Sequence, residues 1–178
     1  VSTDVFPTAG TVSITTNGTL DVAGYSLSKA ITASGGVITS STSGGALTGG
    51  ITLSANSTIA APNSGTLTVS ATAISGAGKG IIIGNASNTG TVILSASNTY
   101  TGTTTISYGT LKLGHTNALG AVGIGGDVTV NTGTALDLNG FSVAASSKLI
   151  LNGSGISNGG ALINTSTSTT IYPGVVAL

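Results

Sequence analysis

One phrase recurs along the chain and limits what it can fold into: a glycine or small polar residue, then aliphatic side chains at alternate positions. It occurs at residues 10–14 (GTVSI), 18–22 (GTLDV), 50–53 (GITL), 65–69 (GTLTV), 90–94 (GTVIL), 109–113 (GTLKL), 126–130 (GDVTV) and 134–138 (TALDL). Alternation at period two gives each short strand one apolar and one polar face. Asp21, Lys112, Asp127, Asp137 and Lys148 all fall on the polar parity. Gly, Asn, Ser and Thr separate the strands, residues that accept left-handed backbone or bond to their own main chain. Hairpin signals are few, Asn17-Gly18 and Asn139-Gly140 being the best. A sandwich wants longer strands, more aromatics and clearer hairpins. Short strands with small residues at every corner predict a parallel β-helix, aliphatic rung stacked on aliphatic rung.

Composition agrees. The chain of 178 residues carries 29 Gly, 31 Thr and 24 Ser, with four Asp, four Lys, and neither Glu nor Arg. Long helices are disfavoured, because Gly, Thr and Ser are poor helix formers. Disorder is disfavoured too, since 39% of residues are hydrophobic and mean hydropathy is +0.49. No basic patch exists to neutralise phosphates, so nucleic acid is not an expected partner. The core must come from Val, Ile, Leu and Ala, because there are six aromatics and no Trp or Met. Zero Cys removes disulfides and thiolate sites. No stretch approaches the length of a membrane span. A start at Val1 with no leader-like segment predicts a processed chain or a piece of a longer one.

A long-period repeat is also present. Residues 10–27 align without gaps on 126–143 at an offset of 116, with seven of eighteen identical, including Leu20/Leu136, Asp21/Asp137 and Gly24/Gly140. After a short insertion Lys29 and Ile31 meet Lys148 and Ile150, and residues 44–47 (GGAL) meet 159–162. The reading is a single β-helical segment, 1–178, with one unit of about 116 residues at 10–125 and a partial second at 126–178.

Residues 90–114, GTVILSASNTYTGTTTISYGTLKLG, resemble the autotransporter-associated β-strand repeat of large bacterial surface proteins. The patterned positions are Gly90, Val92, Leu94, Asn98, Tyr100, Gly102, Thr104, Ile106, Gly109, Leu111, Leu113 and Gly114; Ala96 stands where Gly is common. The resemblance implies an all-β, right-handed parallel β-helix (solenoid) in the passenger of an extracellular, cell-surface adhesin. At roughly 20–25 residues per coil it would make seven or eight short coils, a rod on the order of 35 Å long. The expected partners are neighbouring repeats of the same chain, or other copies stacked end to end into a filament or matrix, and host or matrix glycans.

Catalytic readings are weak. Asp21 and Asp137 occupy equivalent positions several coils apart and cannot form a carboxylate pair at the roughly 5–10 Å that glycoside hydrolysis requires. His115 is the only histidine and has no neighbouring acid or thiol in sequence; Ser is abundant but lacks a base. Residues 123–127 (GIGGD) form only a fragment of a calcium β-roll motif, and 76–80 (GAGKG) lacks phosphate-loop spacing. No enzyme, metal or cofactor is therefore expected. Asn98, Tyr100 and Thr104 are read as packing residues, with Tyr100 and Tyr108 as candidate glycan contacts. Thr-x-Thr pairs at 66/68, 99/101, 103/105, 132/134 and 167/169 raise an ice-binding face, but no constant coil length reproduces their spacing.

Overall fold

The computed structural model describes residues 10–70, 72–121, 126–144 and 147–178. The first turn is β1 (Val12–Ile14), β2 (Thr19–Asp21) and β3 (Ser26–Leu27). The second is β4 (Ile31–Ser34), β5 (Val37–Thr39) and β6 (Gly45–Leu47), and the third β7 (Ile51–Ala55), β8 (Ser57–Ala60) and β9 (Thr66–Val69). The fourth is β10 (Ile74–Ser75), β11 (Ile81–Ile83) and β12 (Thr91–Leu94). Among the described residues the later turns contribute two strands each: β13 (Thr104–Ile106) with β14 (Thr110–Leu113), β15 (Val128–Val130) with β16 (Ala135–Asp137), and β17 (Leu149–Leu151) with β18 (Leu162–Ile163). β19 (Val176–Ala177) opens another turn.

Three sheets result: β1-β4-β7-β10; β2-β5-β8-β11-β13-β15-β17-β19; and β3-β6-β9-β12-β14-β16-β18. Each strand inside a sheet pairs in parallel with the strands one turn before and one turn after, and each strand at a sheet end with one of them. Parallel pairing needs a long crossover, and here the crossover is the other two sides of the turn. The chain is thus an all-β parallel β-helix of about seven turns.

Stacking of like on like builds the core. Down the inside of the second sheet run Leu20, Ile38, Ile59, Ile83, Ile106, Val130 and Leu151 in register. Down the inside of the third run Leu67, Val92, Leu111, Leu136 and Leu162. Ile38, Ile59, Ile83, Ile106, Leu67, Val92, Leu111 and Leu136 are all fully buried. The outward neighbours Thr58, Thr105, Thr66 and Thr110 are half-exposed. Turn length varies from 18 residues, Leu20 to Ile38, to 27, Leu149 to Val176. Register survives because the extra residues are placed in corners.

One expectation changes. Neither Asn17-Gly18 nor Asn139-Gly140 makes a hairpin. Asn139-Gly140 does adopt a tight turn, with φ of 46° and 84° and Phe141 N–H donating to Leu138 O at 2.8 Å. The strand before it nevertheless pairs with its neighbours one turn away, because burying the aliphatic rung outweighs a local two-strand pairing. The long repeat, moreover, does not repeat faces. Residues 10–27 traverse the first, second and third sheets, whereas β15 and β16 in 126–143 belong to the second and third. What is repeated is a strand-corner-strand unit that fits any side of the coil.

Candidate functional site

The best-patterned segment, 98–113, sits where the first sheet stops. After β10 that side of the coil has no further strand among the described residues, and Asn98 takes over the pairing. Its side chain is 2% exposed. Oδ1 accepts the N–H of Ile74 at 2.8 Å, one turn back, and Nδ2 donates to Ala118 O at 2.7 Å, one turn on. Tyr100 is fully buried beside it, its Oη 2.7 Å from Thr104 Oγ1. Burial pushes the phenol pKa well above its ordinary value, against a smaller opposing effect of the Thr104 bond, so the hydroxyl stays protonated. Thr104 is likewise buried, and Ile106, Leu111 and Leu113 fill the rungs that follow. Gly109 holds φ +70°, and a Cβ there would strike Gly90 O of the preceding turn; at Gly102 it would strike Lys79 C. The motif thus encodes close approach between turns.

Acidic residues do a related job. Asp21 Oδ1 accepts the N–H of Ala23 in its own corner and of Ser41 in the next turn, both at 2.8 Å. Asp137 Oδ1 accepts from Asn139 N–H at 2.9 Å and Thr165 N–H at 3.0 Å, and Oδ2 accepts the Thr165 hydroxyl at 2.7 Å. The Lys112 ammonium lies 3.4 Å from Oδ2. Both corners share geometry, Ala23-Gly24 at φ 47° and 83° matching Asn139-Gly140. At Asp137 burial raises the pKa, but the bonds from Thr165 and Asn139 and the Lys112 charge outweigh it, holding the carboxyl below the usual range. Asp137 points away from the core as its parity requires, yet it is only 2% exposed, because the 164–166 segment folds over it. Asn56 and Asn63 act similarly, accepting Gly80 N–H and Thr89 N–H at 2.8 and 2.9 Å.

These contacts are clips between turns. Searches against protein-family models, curated proteins and solved structures return no match.

The remaining candidates disperse. Asp21 is on the second sheet in the first turn and Asp137 on the third sheet five turns later, roughly 24 Å along the axis. His115 Nδ1 accepts Asn117 N–H at 2.9 Å inside its own corner. Among the described residues no three His, Cys, Asp or Glu side chains gather. Residues 76–80 form the corner between β10 and β11; Gly123, Ile124 and Gly125 of the β-roll fragment lie outside the described residues. Tyr100 and Tyr108 cannot make a shared platform, since Tyr100 has no exposed surface while Tyr108 is 43% exposed. The Thr-x-Thr pairs fall on different sides: 66/68 lies on the third sheet, 103/105 meets the second, and 132/134 occupies a corner. Lys29 is buried, and its Nζ has no hydrogen-bond partner among the described residues.

Proposed function

We propose that this chain is a non-enzymatic stalk segment of a secreted bacterial surface protein, an adhesin passenger of the autotransporter-associated type, whose work is to hold a distal region away from the cell. One observation supports this most directly: polar side chains that could do chemistry are instead spent on joining one turn to the next. Asn98, Asp21 and Asp137 each satisfy backbone groups in neighbouring turns. The residue pattern of 90–114 supports the parentage. The test is a display fusion with the chain between an outer-membrane anchor and a tagged reporter. Electron tomography should place the reporter about 35 Å further out than in a fusion lacking the chain. An unchanged distance would remove the stalk reading.

A second reading is end-to-end assembly, with another copy stacked on the turn that β19 opens, where Ile171, Val175 and Val176 are 62%, 69% and 45% exposed. Val176 continues the inward rung of Leu149 and has no rung above it among the described residues. An apolar, unpaired edge of this kind accepts another coil, of the same chain or of another copy. Sedimentation of the isolated chain distinguishes the readings: concentration-dependent growth that Val176→Lys abolishes supports assembly, and a monomer at all concentrations removes it.

A further inference from the structure

We propose that Asn152 is the position at which this chain spontaneously deamidates. Four Asn-Gly pairs occur, at 17–18, 139–140, 152–153 and 158–159, the sequence context in which the following amide nitrogen most easily reaches the Asn carboxamide. In the reaction the Gly N–H is deprotonated and its nitrogen attacks Asn Cγ. The N–Cγ bond forms, the Cγ–Nδ2 bond breaks, and ammonia departs with a proton. Water then opens the five-membered imide at either carbonyl, leaving Asp or isoaspartate. The step needs a glycine N–H that is not already donating and a carboxamide free to turn.

The fold denies these conditions to three of the four pairs. Gly18 N–H donates to Thr15 O at 2.8 Å, Gly140 N–H to Asn164 Oδ1 at 2.9 Å, and Gly159 N–H to Ile156 O at 2.8 Å. Asn139 is doubly held, because its Nδ2 also donates to Leu113 O at 2.9 Å. Asn158 Oδ1 accepts from Ser154 Oγ at 2.6 Å. At 152–153 the pair is exposed. Among the described residues neither Gly153 N–H nor the Asn152 carboxamide has a hydrogen-bond partner, while Asn152 N–H is anchored to Val130 O at 2.8 Å. The reaction places a carboxylate on the corner after β17 of a chain with formal net charge zero. Where isoaspartate forms, it lengthens the backbone by one atom just beyond the ladder joining β17 to β15.

The test is incubation of the folded chain in mildly alkaline buffer, then tryptic digestion and fragment mass spectrometry. Cleavage after the lysines places Asn17 in 1–29, Asn139 in 113–148, and Asn152 with Asn158 in 149–178. Asn152 should convert about tenfold faster than the other three, each of which must first break a hydrogen bond. In denaturant the four rates should converge. Asn152→Gln, an exposed substitution, should remove the fast acidic species from ion-exchange profiles. Equal rates at all four sites in the folded chain, or faster conversion at Asn17, Asn139 or Asn158, would overturn the proposal.

Discussion

Asn98 shows how one side chain can stand in for a strand. It provides an acceptor to Ile74 and a donor to Ala118, so replacing it by Ala leaves an N–H and a C=O unpaired inside the rod. Each such group costs about 1–3 kcal/mol. Asn98→Ala should therefore lower unfolding stability by roughly 2–4 kcal/mol in a denaturant titration, and Asn98→Asp should not rescue it, because a carboxylate cannot donate to Ala118. Asp137 gives a pH signature. Its folded pKa lies below its unfolded one, so its contribution is complete above the ordinary carboxylate range, near pH 4, and is lost as pH falls through the folded value. Melting temperature should thus drop below about pH 4 more steeply in the parent than in Asp137→Asn. Equal slopes would mean that the clip contributes nothing.

At the scale of the strand, alternation decides which substitutions matter. Leu136 is fully buried in the third sheet and Thr110 is half-exposed on the opposite parity. Leu136→Ala should cost about 2–5 kcal/mol and Thr110→Ala should stay within about 0.5 kcal/mol, as read by equilibrium unfolding. The faces of β1, β2, β9, β12 and β14 were legible from the sequence, because period two is a local property of the backbone. The role of the corners was not. The Asn17-Gly18 and Asn139-Gly140 dipeptides carry turn chemistry but no information on whether the next strand returns beside the last or leaves for another side; only burial of the whole rung decides that. Asp137 illustrates the same limit, since parity places it outside the core while its cover comes from residues 164–166, a full turn away in sequence.

At the scale of the whole molecule, the described turns are not equivalent. Interior rungs are sealed by turns on both sides, whereas Val176, 45% exposed, has no rung above it among the described residues. Native-state hydrogen exchange should show protection highest at β8, β11, β13 and β15 and lowest at β19, because a turn in a solenoid gains its stability from two neighbours. Uniform protection along the second sheet would contradict that additive picture. The amino-acid sequence by itself determined the short amphipathic strands, the aliphatic core and the small-residue corners, since these follow from side-chain size, parity and local backbone preference. It also carried the internal similarity of 10–27 and 126–143. Tertiary structure alone decided on which side of the coil each copy lies, that Asn98 and Asp137 clip separate turns, that Tyr100 is sealed inside while Tyr108 is out, and which Asn-Gly pair is left free. All of these depend on what a neighbouring turn, some 18 to 27 residues away, brings alongside.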